Sequence, residues 1–425
     1  MHRTDGDFNG DCLEVVVERI LPGGLGLAHA DGRTIFVALS APGDRLRVKI
    51  ERVKANVAFA SIREIVEPSN TRIEPPCPYF GRCGGCDFQQ MDYQAQLAAK
   101  VDIIKDCLRR IGRIEEIPEF QIVAAPNQWH YRSRAQWQYD SAQRRLGYFE
   151  SGSRRVCDVA DCAVLVPALQ NELGRLRERM TAGAVADDVR HLRAIAGDHA
   201  VSIVDDKGRN PTAREGAAVT VSRTIAGETY ELDAENFFQA NADLLPQLID
   251  AALDDNTGET AIELYCGVGL FTLPLARRFE TVIGVEGDNF ASQFAQRNVR
   301  NANVSNVRIE NEDVGNWLAW NQRHPEARPL DFLLLDPPRT GAESRVVAGI
   351  NRLRPKKISY VSCDPATLAR DLKKMIAGGY AIETIKAFDM FPQTHHVETV
   401  VQLTSRYLET SHNSPPKGET HEKTH

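Results

Sequence analysis

Between residues 261 and 372 short apolar runs alternate with stretches of helical spacing, and each run stops at a few acidic, glycine, proline or cysteine residues. AIELYCGVGLFTLPLA (261–276) reads as a strand, a glycine loop and a helix start. TVIGVEGD ends a second strand at Glu286, and RIENEDV places Asp313 after a third. DFLLLDPPRTG (331–341) reads as a buried strand closed by Asp336 in an acid-Pro-Pro-Arg turn, and ISYVSCDPATLARDL puts Cys363 between a strand tip and a helix. Short continuous apolar runs joined by helices belong to sheets covered on both faces, which bind ligands beyond the carboxyl ends of their strands. This half of the chain is therefore expected to be an α/β, Rossmann-like sheet carrying a thiol on its ligand-binding edge.

The loop Tyr265, Gly267 and Gly269 lets backbone approach a ligand at a helix N-terminus. The full G-x-G-x-x-G of dinucleotide sites is missing. Glu286 lies where a carboxylate takes ribose hydroxyls, and Asp313 follows the third strand on the side expected for an adenine. These three features favour S-adenosylmethionine over a dinucleotide.

Upstream, the first 67 residues alternate apolar and polar residues in short runs broken by PGG, DG and APGD, as a small β-barrel does. EPPCPYFGRCGGCDFQQM then groups Cys77, Cys83 and Cys86, and Cys162 follows in CDVADCAVLVP. Three close thiolates plus a distant fourth fit a four-thiolate site for zinc or a [4Fe–4S] cluster, with Cys157 a competitor for the fourth place. Between Trp129 and Arg155, Arg132, Arg134, Arg144, Arg145, Arg154 and Arg155 face only two acids and are interleaved with Tyr131, Trp137, Tyr139, Tyr148 and Phe149. That mixture suits single-stranded RNA, and equally a β-ribbon with a solvated arginine face and an aromatic core face. QNELGRLRERM reads as a helix, HLRAIAGDHAVSIVDD as strands and GRNPTAREGAAVT as a surface loop.

A chain of 425 residues with 42% hydrophobic content supports two to four domains. Its polar start and the lack of any apolar run near the roughly 18 residues of a membrane span predict a cytoplasmic protein without a membrane partner. Nine cysteines, several of them grouped, fit a reducing compartment with metal or catalytic thiols. A net charge of −7 excludes indiscriminate polyanion binding, so contacts to RNA must be local.

NFFQAN (236–241), ELYCGVG (263–269), LLLDPPRTG (333–341), SCDP (362–365), HHVET (395–399) and the four-cysteine set together resemble the RNA uracil-5-methyltransferase family, from about residue 10 to about 405. The resemblance implies S-adenosylmethionine as methyl donor and a [4Fe–4S] cluster on Cys77, Cys83, Cys86 and Cys162. It implies a TRAM-like, oligonucleotide-binding-type barrel at 8–67 and a central iron-sulfur and RNA-binding domain from 68–92 and 121–234. A methyltransferase domain would be built from 93–120 and 235–408, with a disordered tail at 409–425. Gln239 and Asp336 would face the cofactor. Leu270 stands where the family often has Asn, leaving one polar cofactor contact in question. A monomer acting on 23S ribosomal RNA is expected, with transfer RNA as the alternative substrate and a non-catalytic RNA-binding assembly factor as the alternative role. Arg339 in place of an aromatic, together with the Cys363 and Glu398 pair, argues against amino-group methylation.

The chemistry needs these residue types. Uracil C5 is too poor a nucleophile to attack a sulfonium methyl, so a thiolate must first add to C6, and Cys363 is the candidate. Glu398 is the candidate base for the C5 proton and is expected to be buried with a raised pKa, with His395 and His396 as weaker candidates. The thiolate is expected to draw support from the free N–H groups of the following helix.

Overall fold

The computed structural model describes residues 12–211, 219–323 and 330–406. The tail at 409–425, residues 8–11 of the barrel and most of the loop GRNPTAREGAAVT lie outside them. Among the described residues no helix is long and apolar enough to cross a membrane.

The N-terminal alternation becomes a six-stranded sheet. Strand Arg45–Lys54 turns Leu46, Val48 and Ile50 inward and Arg45 and Arg47 outward, and pairs with Cys12–Val16 on one side and Val57–Glu67 on the other. Arg33–Val37, Gly26–Ala30 and Arg19–Ile20 complete the order. The strands enclose a core of Val15, Ile35, Val37, Leu46, Val48 and Ile50. Asp44 is fully buried where the barrel ends, and its carboxylate accepts from Arg72 at 2.7 Å and from the Ser69 N–H at 3.0 Å, tying the cysteine-bearing segment to the barrel.

The central unit is a five-stranded antiparallel sheet in the order Val156–Asp158, Arg145–Phe149, Arg134–Asp140, His191–Ala196, Val201–Asp205. Helix Pro167–Thr181 covers one face through Leu169, Leu173 and Leu176 against Trp137 and Leu192. In Arg134–Asp140 the pleat sends Ala135, Trp137 and Tyr139 into this core, leaving Arg134, Gln136 and Gln138 on the other face. Most aromatic residues of the arginine-rich ribbon are thus core: Tyr131, Trp137 and Tyr139 are buried, and only Phe149 is strongly exposed.

The C-terminal unit is an eight-stranded sheet. Its parallel half runs Val307–Asn311, Phe279–Glu286, Gly258–Leu264, Phe332–Leu335, Lys357–Ser362. Glu398–Ser405 joins antiparallel to Lys357–Ser362, followed by Tyr380–Phe388 and the short Ile122–Val123. Helix Tyr93–Arg110 packs against helix Pro365–Ala377, so this early segment contributes to the core of the C-terminal sheet. Ile122–Val123 and the hairpin Val221–Ile225 and Glu228–Leu232 also pack with that sheet, beyond boundaries at 120 and 235.

Candidate active site

Lys357–Ser362 and Glu398–Ser405 pair with Ser362 opposite Thr399. One step past that pair, Cys363 and Glu398 stand side by side at the ends of neighbouring strands. Both line a pocket of about 620 Å³ together with Gln239, Glu263, Tyr265, Glu286, Asp336, Arg339 and Phe391. Such a volume lies within the range of about 300–1,000 Å³ typical of small-molecule sites.

Glu398 is 1% exposed, and neither carboxylate oxygen has a hydrogen-bond partner. Burial, reinforced by the Asp336 charge, holds its carboxyl well above the ordinary range. Burial also pushes Asp336 up to about 7, opposed by a hydrogen bond with Gln239. Cys363 is pushed up to about 12, first by burial and then by the charges of Glu398 and Asp336. The anticipated help from the helix N-terminus is not available to the thiol. Asp364 caps helix Pro365–Ala377 and accepts from the Ala366 and Thr367 N–H groups at 3.0 and 2.8 Å.

On the glycine-loop side of the pocket, strand Gly258–Leu264 runs into Tyr265 at φ +63° and Gly267 at φ +56°. The left-handed loop aims the Gly267 N–H at the Glu286 carboxylate (2.9 Å), whose second oxygen accepts from the Asp288 N–H at 2.7 Å. Glu286 is therefore oriented by backbone while facing the pocket. Leu270 lines the pocket and is buried, and its carbonyl accepts from the Tyr230 hydroxyl at 2.9 Å. Asp313 stands apart from the pocket lining: it caps the next helix through Asn316 N–H at 2.9 Å and pairs with Arg345 at 3.0 Å. Glu263 was missed. It is buried beneath the loop, accepts from Thr272, and is pushed up to about 8 chiefly by burial. An acid inside the apolar run AIELY was the available signal.

The segment leading into Glu398 is held from outside its own sheet. Lys100, from helix Tyr93–Arg110, donates to the Asp389 carboxylate and to the Phe391 carbonyl at 3.0 Å. Gln96 bonds Gln393 through both backbone and side chain (3.0 and 3.1 Å), and the Tyr131 hydroxyl donates to the Pro392 carbonyl at 2.9 Å. His395 is bonded to Asp87, and His396 is pushed down to about 3 by burial and nearby positive charge. An imidazole that holds an added proton so weakly is a poor base, and His396 does not line the pocket holding Cys363.

Cys77, Cys83, Cys86 and Cys162 line one small cavity of about 30 Å³, and no disulfide joins them. Burial pushes Cys83 up to about 11, Cys86 up to about 12, and raises Cys162. Among the described residues no three His, Cys, Asp or Glu side chains are arranged to hold a metal ion. The donor types therefore fit a four-thiolate centre, while the side chains in this structure are not drawn to one point. Cys157 lies outside that cavity, buried, with the Arg82 Nε donating to its sulfur at 3.3 Å.

Comparison with known proteins agrees with this architecture. Residues 217–406 match the family described as tRNA (Uracil-5-)-methyltransferase, and residues 7–62 match the TRAM domain. The 23S rRNA (uracil(1939)-C(5))-methyltransferase RlmD of Pectobacterium atrosepticum is 31% identical over 91% of this chain and 92% of its own length. An uncharacterized RNA methyltransferase of Halalkalibacterium halodurans is also 31% identical, over 92% of this chain and 97% of its own. The crystal structure of Pyrococcus abyssi tRNA (uracil-54, C5)-methyltransferase, in complex with S-adenosyl-L-homocysteine, superposes with a TM-score of 0.71 at 26% identity, covering 92% of this chain and all of that one. Fold and relatives define an α/β RNA methyltransferase with an N-terminal TRAM domain. Within that class the chain belongs to the RNA uracil-5-methyltransferase family.

Proposed function

We propose that this protein methylates C5 of a uridine in 23S ribosomal RNA with S-adenosylmethionine, through a covalent bond between Cys363 and C6 of the base. The observation that carries the reading is the juxtaposition of Cys363 with a buried Glu398 whose oxygens have no protein partner. A carboxyl left without partners in a dry site holds a proton more tightly than an exposed one, which makes it a stronger base once ionised. Once Cys363 and Glu398 have each released a proton to solvent, the Cys363 thiolate adds to C6 and electron density moves to C5. S-adenosylmethionine supplies the electrophilic methyl group when bound, with Gln239, Tyr265, Glu286 and Asp336 as the residues that would hold it. Glu398 then takes the C5 proton, and Cys363 is expelled. With its thiol pushed up to about 12, Cys363 stays protonated in the free protein.

Ribosomal RNA is favoured by the RlmD relatives and by the pairing of a barrel with the cysteine set; the substrates named for the archaeal neighbour and the matched family keep transfer RNA as the second reading. In this reading the protein works as a cytoplasmic monomer. Mapping 5-methyluridine in 23S and transfer RNA from a strain lacking the protein decides between them: loss of one site in 23S RNA is expected. Loss confined to transfer RNA would move the substrate, and no loss in either would overturn the reading.

Two further results are expected. Glu286→Ala removes a carboxylate held by two backbone N–H groups toward the pocket, and charge-assisted hydrogen bonds are worth about 1.5–3 kcal/mol each. S-adenosylmethionine affinity should fall at least about tenfold by calorimetry, and an unchanged dissociation constant would remove Glu286 from the cofactor site. If Cys77, Cys83, Cys86 and Cys162 hold a [4Fe–4S] cluster, anaerobically purified protein should be brown and contain iron and sulfide in near-equal amounts. Cys162→Ala should lose the colour and Cys157→Ala should keep it. Stoichiometric zinc without visible absorption would overturn the cluster.

A further inference from the structure

A second cavity, of about 460 Å³, opens beside the catalytic pocket and shares Arg339 and Phe391 with it. Its floor is the outer face of the central sheet, where Gln136 and Gln138 project from one strand and Phe149 from the next. Phe149 is 41% exposed, and no hydrogen bond within the described residues engages either glutamine amide. An exposed ring beside two free amides is the equipment that stacks an unpaired base and reads its edge.

Two arginines stand on the same face of the central sheet as Gln136, beside a ring of the catalytic pocket. Arg134, two residues before Gln136, stands with its guanidinium 5.6 Å from the ring centre of Phe237, which lines the catalytic pocket and is itself 62% exposed. Arg193 lies opposite Gln136 in the neighbouring strand. The Nε atoms of both arginines are buried without a hydrogen-bond partner, and the nearest counter-charge is Glu235, 3.7 Å from Arg193. Buried donors left unpaired call for an acceptor. A phosphate linking a nucleotide in one cavity to a nucleotide in the other would supply it.

We propose that this groove binds the nucleotide adjoining the methylated uridine, with its base on Phe149 and the amides of Gln136 and Gln138 and the linking phosphate at Arg134 and Arg193. The site rests on the reading of this protein as a uridine methyltransferase, and it makes the sequence beside the target part of what is recognised.

The test is a cycle between protein and RNA, using synthetic RNA hairpins that carry the mapped uridine with an abasic ribose placed on its 5′ or 3′ side. For the unsubstituted protein, one of the two abasic positions should raise KM about tenfold with kcat unchanged, the size of a lost stacking contact. Gln136→Ala with Gln138→Ala, both at non-core positions of the sheet, should raise KM on the intact hairpin, and the abasic ribose should then add less than about twofold. Arg134→Gln should make KM less steeply dependent on salt, by about one phosphate contact. If the abasic and glutamine effects multiply independently, or neither abasic position matters while the uridine is still methylated, the groove proposal fails and the methyltransferase reading stands. If no hairpin gains 5-methyluridine, both fail.

Discussion

Glu398→Gln should accumulate protein joined to methylated RNA, whereas Cys363→Ala should form neither product nor adduct. The two substitutions interrupt different steps. Without the thiol, C6 is never attacked and C5 stays unreactive, so labelled methyl should not enter RNA at all. With the amide at 398 the bond to C6 and the methyl transfer remain available, but nothing takes the C5 proton and Cys363 cannot leave. Turnover should fall about 10²–10⁴-fold, the usual contribution of a positioned general base. The trapped species should appear as a denaturation-resistant shift carrying labelled methyl. The structure makes the comparison clean, because the Glu398 carboxyl makes no hydrogen bond to protein and an amide of nearly the same shape disrupts none. Normal turnover by Glu398→Gln would remove Glu398 as the base. Activity in Cys363→Ala would overturn covalent catalysis and restore the amino-methyltransferase reading.

The parts of this site legible in the sequence are those encoded locally. A strand, its glycine loop and the acid at the next strand's end belong to one strand-helix-strand unit, so Tyr265, Gly267 and Glu286 could be placed before the fold was known. Cys363 and Glu398 were recognisable from motif wording, yet their adjacency follows from an antiparallel register between segments about 35 residues apart, which no periodicity in either segment reports. Asp313 was placed by strand order alone, and the structure engages it as a helix cap and with Arg345. The arginine and aromatic ribbon was ambiguous for a related reason. Which face of a strand is core is decided by what packs on it, and helix Pro167–Thr181 buries the Trp137 and Tyr139 side. The helix-terminus argument for Cys363 was misleading because Asp364 supplies the cap: an acid beside the thiol competes for the same N–H groups.

The least legible element is Lys100, one lysine in an ordinary amphipathic helix, and its loss is the change expected to damage the fold most. Both its side chain and that of Asp389 are fully buried, and the pair spans 289 residues of sequence. Removing one partner of such a pair leaves an uncompensated charge in a dry site, a cost of about 3–5 kcal/mol. Lys100→Ala should therefore lower the unfolding midpoint of the catalytic unit sharply, followed by circular dichroism in urea or on heating. Burial depresses the lysine's own proton affinity while Asp389 raises it, so desolvation already opposes the pair. It follows that Lys100→Met combined with Asp389→Leu should recover most of the lost stability, since apolar residues escape the desolvation cost. The recovered protein should still turn over poorly. Lys100 also holds the Phe391 carbonyl, Phe391 lines both the catalytic pocket and the neighbouring groove, and Glu398 lies a few residues further on. A single substitution within about 1 kcal/mol of the parent would show that water or a shifted proton compensates the buried charge. A stable double variant with full activity would show that the pair secures folding alone and leaves the placement of Glu398 to its strand.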